Sequence, residues 1–194
     1  MSCVNRQNIG TAVADEERKE DKTMPNAIQI IRQDHRKVEG LFKKFDQAKT
    51  NGARKRICNQ VIEELEVHTK LEEEIFYPAV RKELGDEQLV KEAEKEHQQA
   101  KDIIQELKTM DGKDDQLEEK FSELVECIKH HVEEEQSEML PKAEESDMDL
   151  AHYGEQMTER KKELTGKTRT GRAKSKGGRK SKSGRKRRRS RRAA

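Results

Sequence analysis

His68-Thr69-Lys70-Leu71-Glu72-Glu73-Glu74-Ile75-Phe76-Tyr77-Pro78 decides the fold, because its pattern returns later as His131-Val132-Glu133-Glu134-Glu135, followed by Pro141. The histidine, the glutamate four residues on and the proline all recur at an offset of 63. A lone histidine precedes each copy, His35 and His97, at an offset of 62. The chain is therefore internally duplicated.

Working outward from these segments, apolar residues fall at alternating three and four spacing, so each copy reads as a pair of amphipathic helices. The first helix carries Ile28, Ile31, His35, Val38, Phe42 and Phe45 and is expected to stop near Asn51-Gly52, a turn signal. The second carries Ile57 or Cys58, Val61, Leu65, His68, Glu72 and Ile75, and Pro78 is expected to kink or end it. After a turn at Leu84-Gly85-Asp86, the third runs through Val90, Ala93, His97, Ala100, Ile104 and Leu107 to about Asp111-Gly112. The fourth runs through Leu117, Phe121, Leu124, Ile128, His131, Glu135 and Met139 to Pro141. Short loops make helices of this length antiparallel neighbours. The fold class is all-α, an up-down-up-down four-helix bundle.

Four of only six histidines thus occupy stripe positions where Val, Ile or Leu would serve packing better. Burying an imidazole costs free energy, and burying a carboxylate such as Glu72 or Glu135 costs several kcal/mol, unless something compensates. The i,i+4 spacing sets His68 above Glu72 and His131 above Glu135 on one helix face. Four nitrogens and two shareable carboxylates converging inside a bundle form the donor set of a two-metal centre. One such histidine alone would be an ordinary hydrogen-bonded core residue; four in register point to metal.

Composition narrows the class further. Of 194 residues 30% are hydrophobic, 42% charged and 3% aromatic, which excludes a broad core and gives a sheet little support. No apolar run approaches the roughly 18 residues of a membrane span, and residues 1–26 lack a signal peptide's apolar stretch, so a cytoplasmic protein is expected. Cys3, Cys58 and Cys127 show no CxxC spacing, which argues against a structural disulfide or a zinc knuckle. No nucleophile elbow or phosphate loop is present, which favours a metal- and ligand-binding protein over an enzyme. The expected organisation is a disordered leader over 1–25, the bundle over 26–145, a linker with a short helix over 146–165 and a disordered basic tail over 166–194.

Asp34-His35, the quoted run from His68 to Pro78, Glu96-His97 and the run from His131 to Glu135 together resemble the hemerythrin-like family of HHE cation-binding domains, over residues 27–142. The resemblance implies a bundle holding a non-haem di-iron centre of two iron ions. His35 and His68 would bind one iron and His97 and His131 the other, bridged by Glu72, Glu135 and an oxo or hydroxo group. Oxygen-carrying hemerythrins have a further histidine four residues after the one matching His97; here Lys101 stands there. The resemblance then implies a more open site, suited to dioxygen, peroxide or nitric oxide in sensing, scavenging or iron handling rather than in oxygen carriage. Tyr77 is a candidate hydrogen-bond donor behind the site. His130 points about 100° away from His131 and reads as a boundary residue, and His152 reads as a surface residue.

The net charge of +2 conceals a division. Residues 166–194 hold 15 of the 42 Lys and Arg and no acid, which leaves 27 bases against 40 acids before them, a balance of −13. Arg179, Lys180, Arg185, Lys186, Arg187, Arg188, Arg189, Arg191 and Arg192 are candidate contacts to nucleic acid or another polyanion. Without aromatics, such binding would be driven by phosphates and indifferent to sequence. The alternative function is a nucleic-acid-associated helical protein whose bundle only positions this tail.

Overall fold

The computed structural model describes residues 24–111 and 116–175, with side chains through residue 166. Its first helix, α1 (Ala27–Asp46), opens on a capping box. Gln29 N–H donates to the Asn26 side chain at 2.9 Å, and Asn26 N–H donates back to Gln29 Oε1 at 3.0 Å. The stripe expected on α1 is buried as read. Ala27, Ile30, Asp34 and Leu41 are buried as well, because this helix packs on more than one side.

Helix α2 (Asn51–Leu71) begins where the sequence suggested a stop. Thr50 caps it by accepting from Ala53 N–H at 3.2 Å, so Asn51-Gly52 lies in its first turn and the chain reverses a few residues earlier. Nor does Pro78 end the second rod. A widened π-helical turn over Glu72–Phe76 leads directly into α3 (Tyr77–Leu84), with Pro78 among its first residues. The proline has no N–H to donate, and the preceding turn adjusts by pairing Tyr77 N–H with the Glu72 carbonyl five residues back. Gly85, at φ 67°, then supplies the left-handed conformation that closes α3, and Asp86 caps α4 (Glu87–Thr109).

The second copy repeats this plan. α5 (Leu117–Glu134) passes through a π-helical turn at Glu135–Met139 into α6 (Leu140–Glu145), with Pro141 near its start. The four expected rods therefore form the bundle. A fifth helix, α7 (Leu150–Ser175), joins them, longer than the short helix expected within 146–165 and extending into the segment expected to be unfolded from Gly166. Docking explains its formation. Met157 is buried in the cluster that also holds Ala27, Ile28, Ile30 and Ile31 of α1, and once the first turns are anchored a proline-free segment propagates at little cost. The candidate tail contacts from Arg179 to Arg192 lie outside the described residues, as do Cys3 and nearly all of the leader.

The core divides into two apolar clusters. One gathers Ile31, Leu71, Phe76, Tyr77, Val90, Ala93, Met139 and Leu140; the other gathers Val38, Phe42, Phe45, Leu65, Ala100, Ile104, Phe121 and Ile128. Phe45 stacks on Phe121 with ring centroids 3.8 Å apart. Burying each such side chain is worth roughly 1.5–3 kcal/mol, enough to hold a polar layer between the clusters. That layer is the four histidines and two glutamates, since each lies on its helix between residues of the two clusters. Cys58 is buried in the second cluster and Cys127 is half-buried, both as free thiols. Among the described residues no helix is long and apolar enough to cross a membrane.

Candidate metal centre

Each rod of the bundle contributes to the buried layer: α1 gives His35, α2 His68, α4 His97 and α5 His131, and the two π-helical turns begin with Glu72 and Glu135. All six are at least 96% buried. His35 Nε2 faces His68 Nε2 at 3.2 Å, and His97 Nε2 faces His131 Nε2 at 3.2 Å. Glu72 reaches both pairs, Oε1 lying 3.1 Å from His68 Nε2 and Oε2 3.3 Å from His97 Nε2. Glu135 Oε2 lies 3.3 Å from His35 Nε2. The structure thus brings together all six residues singled out from the sequence.

What stands behind the rings explains how they are aimed. His97 Nδ1 is 3.1 Å from Glu73 Oε1, and His131 Nδ1 is 3.0 Å from Glu96 Oε2. The His97 hydrogen bond, ahead of the Lys101 ammonium, holds the Glu73 carboxyl down to about 2 despite partial burial. Burial pushes Glu96 up, but its hydrogen bond to His131 and the nearby imidazoles bring it below its ordinary value. An ionised carboxylate only accepts, so the Nδ1 atoms of His97 and His131 donate to it, and their Nε2 atoms face one another. Behind the other pair, the Gln136 amide lies 3.3 Å from His35 Nδ1, and Asp34 Oδ2 lies 3.9 Å from His68 Nδ1.

All four of these backing residues obey the duplication. Asp34 and Glu96 each precede the lone histidine of their copy, and Glu73 and Gln136 each follow the buried glutamate. Asp34, Glu73 and Glu96 stand inside the sequence motifs, but nothing in their residue types marks this role. The 62- and 63-residue offsets were the signal that would have found them. Tyr77 is buried with its hydroxyl 3.2 Å from His97 Nε2, consistent with the donor expected there. His130 is exposed beside Glu96 and Glu134, and His152 is exposed beside Gln156, as expected.

Electrostatics test whether these residues fit a metal. None of the four carboxylate oxygens of Glu72 and Glu135 has a hydrogen-bond partner, since the nearby Nε2 atoms approach outside hydrogen-bonding geometry. Burial, and then the neighbouring Glu135 charge, push the Glu72 carboxyl well above the carboxylate range. Burial also acts to raise Glu135, but His35, His131 and His68 outweigh it and hold that carboxyl below its ordinary value. The two carboxyls are therefore pushed apart and titrate as a pair. Burial, partly opposed by Asp34, holds His68 down to about 4, so that ring is neutral at pH 7. Facing ring nitrogens and unpartnered buried oxygens are what a cation would satisfy. Two nitrogens on adjacent positions of one metal, each about 2.1 Å from it, lie about 3 Å apart, close to the separation within each pair. The residues fit.

Among the described residues, one ligand atom from each of His35, His68 and Glu72, and likewise from each of Glu72, His97 and His131, falls within 4.8 Å of the others. Residues 26–143 match the family model of the hemerythrin HHE cation-binding domain. The chain belongs to the hemerythrin HHE cation-binding family. Its fold agrees with that of a hemerythrin HHE cation-binding domain-containing protein from Mycobacterium kansasii, with a TM-score of 0.67 at 24% identity over 76% of this chain and 91% of that one. An uncharacterized hemerythrin-like protein of Schizosaccharomyces pombe is 28% identical over 61% of this chain and 59% of its own. A Nostoc protein named DNA nickase is 27% identical over 68% of this chain, which spans 36% of that relative's length. This HHE chain therefore covers well under two thirds of both relatives.

Beside the centre, an apolar cavity of about 420 Å³ is lined by Val38, Phe42, Leu65, Ala100, Ile104, Ile128 and Val132, with four histidines at its inner wall. Lys101 lies at its rim and binds both oxygens of Glu73, at 2.6 and 2.8 Å. The residue in place of the further histidine thus ends in an ion pair with the carboxylate behind His97.

Proposed function

We propose that the chain holds two iron ions, one on His35 and His68 and one on His97 and His131, with Glu72 and Glu135 between them, and that the centre takes a small ligand from the adjoining cavity. The observation that carries this reading is Glu72, a fully buried carboxylate whose two oxygens lack hydrogen-bond partners and reach toward opposite histidine pairs. When bound, an iron pair supplies open coordination positions and a change of valence to dioxygen, peroxide or nitric oxide. The protein's own residues do the rest. The carboxylates behind His97 and His131 fix the rings with Nε2 turned to the centre, and the apolar wall favours small neutral molecules over ions and water. With Lys101 turned to Glu73, sensing, scavenging or iron handling suits the site better than reversible carriage.

Iron analysis of the full chain after anaerobic loading tests the reading. About two atoms per chain are expected, and fewer than about half an atom overturns it. That second result would favour the rival in which the bundle only positions the tail.

For residues 166–194 we propose electrostatic attachment to nucleic acid, on the strength of their 15 bases and no acids. Duplex DNA affinity should then fall with salt at about −0.9 logarithmic units per phosphate contacted. A chain ending at Thr165 should keep its iron and bind DNA negligibly. Full DNA affinity in that shortened chain would reassign the tail.

A further inference from the structure

The two histidine pairs meet the centre of the bundle with the same nitrogen, at the same separation of 3.2 Å. Apart from the Tyr77 hydroxyl at His97 Nε2, what distinguishes them lies behind the rings. His97 and His131 each back onto a carboxylate at hydrogen-bond distance, Glu73 at 3.1 Å and Glu96 at 3.0 Å. His35 backs onto the neutral amide of Gln136 at 3.3 Å. His68 lies 3.9 Å from Asp34 Oδ2, too far for a hydrogen bond, and the other oxygen of Asp34 is held by Lys161 from α7. One pair is thus backed by two hydrogen-bonded anions and the other by none.

A carboxylate that accepts an imidazole Nδ1–H makes the ring a stronger base at Nε2 and locks its orientation; an amide does so weakly, and an aspartate turned to a lysine hardly at all. Lys101 draws on Glu73, but its side chain is 41% exposed and water screens it. Lys161 is the more enclosed of the two lysines, at 28% exposed, and its partner Asp34 is only 7% exposed.

We propose that the two metal positions are unequal, the one formed by His97 and His131 holding its ion more firmly than the one formed by His35 and His68, with Glu73 and Glu96 as the positioning residues that set the difference. The inference rests on the two-iron reading above. It also turns on one pair of duplicated positions, because Gln136 occupies in the second copy the place that Glu73 occupies in the first.

The test uses the full chain loaded anaerobically with ferrous iron and challenged with excess 2,2′-bipyridine, whose coloured ferrous complex reports release. Release should occur in two phases of equal size, with rates roughly tenfold or more apart. Glu73→Gln should speed the slow phase roughly tenfold and leave the fast one unchanged. Gln136→Glu, which gives the weaker pair a carboxylate, should slow the fast phase alone. Mössbauer spectra of the unaltered chain loaded with ⁵⁷Fe(II) should show two quadrupole doublets of equal area, a reading that needs no variant to fold. Single-phase release of two ions with a single doublet overturns the inference and leaves the two-iron reading standing. So does acceleration of only the fast phase by Glu73→Gln. A chain that takes up no iron overturns both.

Discussion

The first copy, α1 to α3, and the second, α4 to α6, present nearly the same ligands on the same frame, yet only the first is covered on its outer side by α7. That helix locks onto it through Lys161 on Asp34 and through Arg160, whose Nε lies 2.6 Å from Glu74. The corresponding carboxylate of the second copy, Glu96, meets the exposed imidazole of His130 at 3.4 Å. Duplication has preserved what touches the centre and let the outer surroundings diverge. The inner residues are constrained by one another, whereas each outer residue answers to whatever packs behind it.

The largest expected effect comes from breaking what the copies share. Glu72→Leu should abolish iron binding at both positions, whereas Glu134→Ala, on a half-buried side chain that faces His130, should leave the iron count unchanged. The same Glu72→Leu substitution should stabilise the metal-free protein by about 1–3 kcal/mol, because it removes a buried polar group without partners. Retention of one iron per chain in Glu72→Leu would confine this carboxylate to a single copy.

A second effect belongs to the covered copy. His68 is held at about 4 in the folded chain against an ordinary 6.5, so the unfolded chain binds the additional proton between these values. The contribution of His68 to the stability of the metal-free protein should therefore be full above pH 6.5, fall as the pH drops and be lower by about 3 kcal/mol at pH 4. Urea unfolding across this range measures it. His68→Gln should flatten the dependence; an unchanged slope would move the responsible proton elsewhere.

The smallest effect concerns the cover itself. A Cβ added at Gly154 of α7 would strike the Pro25 carbonyl oxygen and lie 2.7 Å from Asn26 Cα, so Gly154→Val should cost roughly 2 kcal/mol and loosen α7. Gly40 has nothing within 4 Å of such an atom, so Gly40→Ala on α1 should instead raise stability by about 0.5–1 kcal/mol. Thermal unfolding compares the two, and equal outcomes would mean that α7 is not held at Gly154.

The bundle and its six central residues were legible because burial leaves a periodic trace: His35, His68, His97 and His131 interrupt apolar stripes at fixed offsets. Boundaries were harder to read. Asn51-Gly52 carries a turn signal, but Thr50 one residue earlier is the better cap, and local propensity alone does not weigh the two. Pro78 and Pro141 signal a kink or an end because a proline has no N–H to donate to the helical ladder; a widened turn before each one restores continuity, and no residue type marks that turn. α7 left a faint signal because, among its described residues, only Gly154 and Met157 are buried, and its sequence is mostly polar. Glu73 was lost among three consecutive glutamates, a composition in which any one looks like solvent-facing charge.

The facing nitrogens also bear on how the chain folds. His35 and His68 are 33 residues apart and His97 and His131 are 34, so each pair is assembled within a single helical hairpin. Such local closures are fast and cheap in chain entropy. Glu72 and Glu135 instead reach across, each toward a histidine of the other hairpin. Each hairpin can thus collapse independently with its two nitrogens in place, and an ion that engages the crossing carboxylates welds two short-range modules into one cooperative unit.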